Sequence, residues 1–341
     1  MTMSDRASAI AGFLAANGWA GAAPVPLAGD ASFRRYYRII DGTRRAVLMD
    51  APPPEKEKLP AYIAIADALR RLGLSAPEID AADHDAGLLL IEDFGDDTFT
   101  RALAAAADER ALYTLAIDTL IVLQRAVAEA GLPDLPEYDE TRLLTEASLL
   151  VDWYVPAAHG RKLPEAARVE YLDLWREALR PAVPEIPTLV LRDYHVDNLM
   201  RLPGRAGPRG CGILDFQDAV IGSPAYDLVS LLEDARRDVP AALRAAMTER
   251  YLAAFPAVDR ARFRRAADIL AAQRNSKIIG LFVRLWQRDG KPAYLAHLPR
   301  VWRLLERDLA EPALAPLARW LDRHLPPALR WLPDAAAMSA A

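Results

Sequence analysis

Cysteine is nearly absent from this sequence, because Cys211 is the single one among 341 residues. No disulfide can therefore form within the chain, and no cysteine cluster can bind zinc. The start of the sequence also lacks the long apolar segment and the small-residue cleavage site of a secretory signal. These absences favour the reducing environment of the cytoplasm.

An excess of positive charge and long apolar runs are missing as well. The formal net charge is -5, with an isoelectric point of about 5.7, which gives no global attraction for nucleic acid or an anionic membrane. The apolar stretch 111–123 contains Asp118 and is too short to span a bilayer. With 52% hydrophobic residues the chain can form a core. We expect a soluble protein without a nucleic-acid, membrane or obligate protein partner.

Strand patterns dominate the first third of the chain, and helical patterns dominate the remainder. Asp41-Gly42 separates two β-rich runs and is typical of a tight hairpin. The strand candidates are residues 36–40, 46–49, 78–82, 87–91, 189–191 and 212–214, with one early helix candidate at 59–72. Helical periodicity recurs near residues 100–130, 140–158, 164–180, 226–236, 240–255, 259–288 and 297–310.

One segment, Leu-Arg-Asp-Tyr-His-Val-Asp-Asn at residues 191–198, predicts chemistry. It matches the kinase catalytic loop H-R-D-x-x-x-x-N, except that Leu191 replaces the histidine. Phosphoryl transfer needs a carboxylate that orients the attacking hydroxyl and oxygen ligands that hold magnesium. Asp193 is the candidate base, and Asn198 is a candidate metal ligand.

A second element, Asp215-Phe216-Gln217, follows Asn198 after a short strand candidate. It resembles the kinase D-F-G element, with Gln217 in place of glycine, and Asp215 would be the second magnesium ligand. Either half alone could be an ordinary loop, but both in this order indicate an ATP- and Mg2+-dependent phosphotransferase.

The predicted fold class is α+β, with a two-lobed protein-kinase-like fold. Residues 1–93 would form a small N-lobe with an antiparallel sheet and one helix that bind the nucleotide. Residues 94–341 would form a larger, mainly α-helical C-lobe with the catalytic loop, the metal site and the substrate pocket. This arrangement follows from strands in the first third and helices after them.

The loop at residues 29–36 lies where kinases cover the ATP phosphates. Ser32 and the backbone amides of Phe33 and Arg34 could donate to phosphate oxygens. The loop has one glycine, so an ordinary hairpin turn fits it equally well.

Three further side chains near the catalytic segment have two interpretations each. His195 either contacts substrate or orients its own loop. Asp218 either binds a sugar hydroxyl or is a solvated loop carboxylate. Asp227 either caps the helix that it begins or braces the catalytic loop.

A basic stripe lies on the helix predicted through residues 273–288. Arg274, Lys277, Arg284 and Arg288 are separated by three, seven and four residues and therefore share one face. The stripe could attract an acidic sugar or the ATP phosphates, or it could be a solvated face. It disfavours polycationic aminoglycosides, which would need an acidic pocket.

The chain resembles the aminoglycoside phosphotransferase-like kinase superfamily over nearly its whole length. More narrowly, GDASFRRYYR, LMDAPPPEK, DYHVDNLM and QRNSKIIGLFVRL resemble the anomeric amino-sugar kinases of bacterial cell-wall recycling. The resemblance implies that Asp193 is the catalytic base and that Asn198 and Asp215 bind Mg2+. It also implies that the strand ending at Ile91-Glu92-Asp93 offers backbone groups to the adenine of ATP, with Glu92 and Phe94 as cofactor-binding residues.

The same resemblance implies an amino-sugar substrate, phosphorylated at its C1 hydroxyl in peptidoglycan recycling. The strand lysine that usually holds the ATP phosphates should lie near Met49, and no lysine is there. Arg34, Arg35 or another basic residue would have to replace it. Two alternatives stay open: a kinase of another small hydroxyl substrate, such as an aminoglycoside, an amino alcohol or homoserine, and a nucleotide-binding pseudokinase.

Overall fold

The computed structural model describes residues 3–27, 34–53 and 55–332. The chain divides into two compact units, which we call the sheet unit and the helical unit. The sheet unit comprises Met1–Ala126 and Val196–Ala219, and the helical unit comprises Val127–His195 and Val220–Ala341. The α+β class is confirmed, whereas the lobe boundary expected at residues 93 and 94 falls inside the sheet unit and stays a prediction.

A five-stranded antiparallel sheet organises the described part of the sheet unit. Its strands are β1 Val25–Pro26, β2 Arg35–Asp41, β3 Arg44–Asp50, β4 Ile79–Asp83 and β5 Leu88–Ile91, in the spatial order β1-β2-β3-β5-β4. Asp41 pairs with Arg44 across a two-residue turn in which Gly42 has a φ of 59°. Because glycine adopts this left-handed conformation without steric cost, the hairpin forms where it was predicted.

Among its described residues, the sheet unit also contains four helices. They are α1 Met3–Ala16, α2 Leu59–Arg71, α3 Phe99–Ala104 and α4 Glu109–Ala130, the last of which runs on into the helical unit. The helix α2 buries Leu59, Tyr62, Ile65 and Leu69, and this spacing of three and four residues is the pattern that predicted it. The helix α1 was not predicted, and its Phe13 joins the core formed with the sheet.

Among the described residues, α4 is the helix that is long and apolar enough to cross a membrane. It has 22 residues, more than the apolar stretch considered from the sequence. However, 56% of its most apolar window is buried inside the protein, as in a core helix. Length and composition alone therefore do not indicate a membrane span.

The helical unit is built around one long helix. Its helices are α5 Glu140–Leu149, α6 Val155–His159, α7 Glu165–Leu179, α8 Ala225–Leu232, α9 Ala241–Ala253, α10 Arg260–Asp289, α11 Leu298–Asp308 and α12 Ala315–His324, with a π-helical turn at Leu150–Tyr154. The helix α10 contacts α5, α8 and α11. A Cβ atom at Gly280 would lie 2.0 Å from the backbone of Leu149, so only glycine permits this approach. All the helical segments predicted here are present, and α12 is additional.

Two short antiparallel ladders carry the loops of interest. In the helical unit β6 Thr188–Val190 pairs with β9 Val220–Gly222, and in the sheet unit β7 Leu199–Arg201 pairs with β8 Cys211–Ile213. The strands β6 and β8 match the two predicted candidates, whereas their three-residue partners were not predicted. The catalytic segment begins after β6 and ends before β7, and Asp215 follows β8 closely.

Candidate active site

The first half of the catalytic segment, residues 191–195, lies in the helical unit. Asp227 on α8 is 2% exposed and accepts hydrogen bonds from the backbone N–H groups of Leu191 and Arg192, at 2.7 and 2.9 Å. Arg192 has a φ of 71°, which is unfavourable for a residue with a side chain. The bracing contact expected of Asp227 is present, and it supports a strained backbone directly before Asp193.

The ionisation of Asp227 is set by its surroundings in the helical unit. Burial raises the pKa of Asp227 to about 7, and its two backbone hydrogen bonds oppose this rise. The charge of Asp193 adds to the effect of burial on this pKa, whereas Arg274 on α10 opposes it. The backbone of the catalytic segment is therefore hydrogen-bonded to a buried carboxyl group whose pKa lies near neutral pH.

Glu146 on α5 is the acidic centre of a buried charge cluster. Its carboxylate is ion-paired with Arg192 and, at 3.0 Å, with the Nζ atom of Lys277. The hydroxyl of Tyr138 also donates to it. Burial alone would raise the pKa of Glu146, but the charges of Lys277 and Arg192 hold it at about 2. Glu146 is therefore an anion at neutral pH, and it fixes two cations beside the catalytic segment.

The basic stripe predicted on α10 divides into two environments. Arg274 is 5% exposed, and the side chain of Lys277 is 13% exposed. The solvated-face interpretation is therefore wrong for these two residues. Arg288 does fit it, because its side chain is 53% exposed and pairs with the neighbouring Asp289.

The predicted base, Asp193, is partly exposed, and its charge acts on both Arg192 and Lys277. His195 is buried, and its Nε2 atom lies 3.4 Å from Nη1 of Arg236. The guanidinium of Arg236 donates in this contact, so Nε2 is the acceptor. Sequence reasoning missed Arg236, since it follows α8 in no recognised motif. The role of His195 toward substrate stays a prediction.

The two predicted metal ligands, Asn198 and Asp215, lie in the sheet unit on adjoining loops. The N–H of Leu214 donates to the backbone carbonyl of Asn198 at 2.9 Å. Asp215 has a φ of 57° and accepts a hydrogen bond from Nε2 of Gln217 at 2.7 Å. Left-handed backbone at such residues is costly and concentrates at functional sites. The structure thus brings the loops of both candidate ligands together.

An aromatic pair anchors the loop that carries Asp215. Phe216 stacks on Tyr62 of α2, with 4.8 Å between the ring centroids. Aromatic pairs of this kind stabilise a fold by more than the burial of their surface area alone. Asp218, two residues further along, is partly exposed, and its contact with a sugar hydroxyl stays a prediction.

The position of the missing strand lysine has a different solution in the sheet unit. Met49 is fully buried on β3 and supplies no cation. Arg34 is also buried, and its Nε atom donates to Glu55 at 3.2 Å. Burial opposes the charge of Arg34, but Tyr36, Glu55 and Asp215 raise its pKa. Arg34 is therefore a buried cation that is paired with Glu55, and the negative charge of Asp215 stabilises its charged form.

The strand end predicted to hold adenine is already partly engaged. The backbone N–H of Glu92 donates to the carbonyl of Glu78 at 2.9 Å, so this donor is not available to a nucleotide. The guanidinium of Arg205 lies 5.2 Å from the ring of Phe94 and is ion-paired with Glu92. The adenine contacts of this strand end stay predictions. Two residues predicted to cover the phosphates lie outside the described residues, Ser32 and Phe33.

Comparison with known proteins decides the family. The profile of the phosphotransferase enzyme family matches residues 24–265 of this chain, a range that includes the catalytic segment and Asp215. The chain belongs to this family. The predicted superfamily and the predicted phosphotransferase class are thereby confirmed.

Curated relatives narrow the resemblance. A protein of Caulobacter vibrioides named N-acetylmuramate/N-acetylglucosamine kinase is 38% identical, over 96% of this chain and 99% of the relative. A protein of the same name from Pseudomonas aeruginosa is 38% identical, over 90% of each chain.

Solved structures agree in fold. The choline kinase LicA of Streptococcus pneumoniae gives a TM-score of 0.60 at 14% identity, over 89% of this chain and 99% of that chain. An aminoglycoside 2'-phosphotransferase-IIIa in complex with GDP gives 0.56 at 20% identity, over 84% and 92%. At these identities the likeness shows the kinase-like fold alone.

Proposed function

We propose that this protein transfers the γ-phosphoryl group of ATP to the C1 hydroxyl of N-acetylmuramate and N-acetylglucosamine. One observation carries the proposal: relatives named N-acetylmuramate/N-acetylglucosamine kinase match 82–96% of this chain at 35–38% identity. Sugar 1-phosphates made from these two cell-wall sugars would serve peptidoglycan recycling in the cytoplasm.

Asp193 is proposed to orient the C1 hydroxyl and to accept its proton as the phosphoryl group is transferred. A base in this role must be held in place, because misplacement of a reacting group is expensive in rate. The brace from Asp227 to the backbone of Leu191 and Arg192 supports such positioning.

Asn198 and Asp215 are proposed to hold Mg2+. Amide and carboxylate oxygens are the hard ligands that this ion prefers, and it commonly takes few ligands from the protein. The described residues contain no group of three or more acidic, histidine or cysteine side chains suited to a metal, which fits an ion shared with the nucleotide. When bound, Mg2+ would neutralise charge on the transferred phosphates.

Arg34 is proposed to replace the strand lysine as the cation for the ATP phosphates. Its ion pair with Glu55 parallels the lysine–glutamate pair of protein kinases. An arginine can contact phosphate through two parallel N–H bonds, so the replacement preserves the charge and adds geometric specificity.

The first test is ATP-dependent turnover with Mg2+ on N-acetylmuramate, N-acetylglucosamine, an aminoglycoside, an amino alcohol and homoserine. We expect turnover of the two amino sugars and loss of their reducing end, because phosphate at C1 blocks it. Asp193→Asn should lower kcat by about 100-fold or more. Asp173→Asn removes a carboxylate from an exposed ion pair with Arg176 and should leave turnover unchanged.

The remaining outcomes separate the alternatives. Phosphorylation that leaves the sugar reducing would place the transfer at another hydroxyl and contradict the proposal. Turnover of homoserine, an amino alcohol or the aminoglycoside alone would assign a different acceptor. ATP binding without turnover of any compound would favour a pseudokinase, a reading consistent with Leu191, Gln217 and Met49 at the three departures from the kinase pattern.

A further inference from the structure

Arg274 on α10 is a buried cation with an unsatisfied nitrogen. The residue is 5% exposed, and its Nη1 atom is buried without a hydrogen-bond partner among the described residues. A guanidinium keeps its proton in proteins, so the charge cannot be removed by deprotonation. A buried polar nitrogen without a hydrogen-bond partner is unfavourable. An anionic ligand would complete its hydrogen bonds.

Two buried carboxyl groups of the helical unit, Glu146 and Asp227, accept bonds from donors other than Arg274. Lys277, one helical turn further along α10, is paired with Glu146 at 3.0 Å. Asp227 is the carboxyl group on which the charge of Arg274 acts. Both oxygens of Asp227 already accept bonds from the backbone of the catalytic segment.

Asp227 also relates Arg274 to the proposed reaction centre. Arg192, the residue directly before Asp193, is ion-paired with Glu146, and Glu146 is also paired with Lys277, about one helical turn from Arg274. These contacts bring this part of α10 beside the catalytic segment within the helical unit, and the charges of Asp193 and Arg274 both act on the pKa of Asp227. Asp193 is partly exposed there. An acceptor whose hydroxyl meets Asp193 would therefore bring its other substituents toward this part of α10.

We infer that Arg274 binds the carboxylate of an acidic acceptor sugar. The inference rests on the proposed function, in which the two acceptors differ by one charged group. N-acetylmuramate carries a lactyl carboxylate, which N-acetylglucosamine lacks. A planar guanidinium can donate two parallel N–H bonds to a carboxylate, which makes arginine suited to this discrimination.

The test compares Arg274→Met, Arg274→Lys and wild type on both sugars, with KM for ATP measured in parallel. Loss of a hydrogen bond to a charged group corresponds to about a 10- to 100-fold effect. For Arg274→Met we expect kcat/KM to fall by that factor with N-acetylmuramate and to change less than about threefold with N-acetylglucosamine. Arg274→Lys keeps the charge but not the paired donors, so its kcat/KM with N-acetylmuramate should lie between those of the wild type and Arg274→Met.

Arg288→Met is the matched control, because it removes an exposed arginine from the same helix. It should leave the ratio of the two kcat/KM values unchanged. Thermal unfolding checks the fold of each variant. Arg274→Met should unfold at the wild-type temperature or above it, since the change removes a buried charge with an unsatisfied nitrogen.

Three results would overturn the inference. An equal loss with both sugars would mean that Arg274 supports the loop, and a selective rise in KM for ATP would assign it to phosphate. Unchanged kinetics with N-acetylmuramate would remove it from recognition altogether.

Calorimetry without ATP separates this inference from the proposed function. Wild type should bind N-acetylmuramate more tightly than N-acetylglucosamine, and Arg274→Met should bind both alike. If that pattern appears in a protein that turns over neither sugar, the kinase proposal fails while the carboxylate site stands. If both sugars are turned over but bind alike in wild type, the carboxylate site fails while the kinase proposal stands.

Discussion

The predicted site residues fall into two groups, a helical-unit half and a sheet-unit half, and each group is held in place within its own unit by different forces. In the helical unit, the backbone before Asp193 is fixed by buried ionisable groups: Asp227 accepts hydrogen bonds from the loop, and Glu146 pairs with two cations. In the sheet unit, a backbone hydrogen bond joins the loops of Asn198 and Asp215. The loop of Asp215 is also held by the stack of Phe216 on Tyr62 and by the hydrogen bond from the amide of Gln217 to Asp215.

This difference in the stabilising interactions determines how well each half tolerates amino-acid substitutions. Removing one member of a buried ion pair leaves its partner charged in a low dielectric, and the loss is large and pH-dependent. Removing one hydrogen bond that does not belong to a buried ion pair costs about 1–2 kcal/mol. We therefore expect the helical-unit half to be fragile toward charge changes and the sheet-unit half to be tolerant of single substitutions.

The largest effect is expected for Glu146→Gln. The change leaves Arg192 and Lys277 as neighbouring buried cations without their shared anion. Loss of one partner from a buried ion pair costs about 3 kcal/mol, and we expect the free energy of unfolding to fall by about that amount. Urea unfolding of both proteins at pH 7 measures the difference.

Glu140→Gln is a matched control on the same helix, α5. Glu140 is paired with Arg176 at 3.0 Å, the same separation as in the pair of Glu146 with Lys277, but both side chains are exposed. An exposed pair contributes about 0–1 kcal/mol. Equal losses for the two variants would contradict the view that burial makes the Glu146 cluster important.

The second prediction uses the buried carboxyl group of Asp227. Its pKa is raised from 3.8 to about 7 in the folded protein. Between these values the folded state binds a proton that the unfolded state does not, so this group's contribution to stability is present at low pH and is lost as the pH rises toward 7. Asp227→Asn should remove that dependence, which urea unfolding from pH 4.5 to 8 would measure.

Asp238→Asn provides the comparison for this profile. The hydrogen bond from Arg300 lowers the pKa of Asp238, so its titration lies below the window of interest. Its profile should therefore parallel the wild type. If Asp227→Asn is also parallel to the wild type, Asp227 does not titrate as described. Asp227→Asn should in addition lower kcat, since the two backbone N–H groups donate to different oxygens of Asp227 and the amide replaces one of these oxygens with an NH2 donor.

The same contrast explains what the sequence could predict. Asp193, Asn198 and Asp215 were found because a local motif marks them, and α2 was found because its apolar spacing is regular. Glu146 was missed because its partner Lys277 is 131 residues away, and no local pattern records that pairing. The burial of Arg274 was missed for a similar reason, since spacing on α10 shows which residues share a face but not what covers it.

Short elements were missed for a different reason. The strands β7 and β9 have three residues each, which is too few for an alternating pattern to emerge. The strands β6 and β8 are equally short, and they were predicted because an apolar run leads into each motif. The helix α1, Met3–Ala16, contains only a short apolar run, from which no helix was predicted. For Arg34, the sequence showed that a cation was missing but not which residue replaces it. The missing lysine near Met49 was visible in the sequence, but the pairing of Arg34 with Glu55 appears only in the fold.

The smallest effect is expected in the sheet unit, for Gln217→Gly. This change restores the glycine of the kinase element and removes the 2.7 Å hydrogen bond to Asp215. Because the φ of Asp215 and the stack of Phe216 on Tyr62 do not depend on that bond, the loop should keep its shape. Because this bond goes to a carboxylate, we expect a loss of about 1.5 kcal/mol in stability, and an increase of about two- to fivefold in the Mg2+ concentration needed for half-maximal turnover. Gln217→Met keeps the side-chain length without the donor, and it separates the lost bond from the added backbone freedom of glycine. A loss of turnover comparable to that of Asp193→Asn would show that the sheet-unit half is as fragile as the helical-unit half.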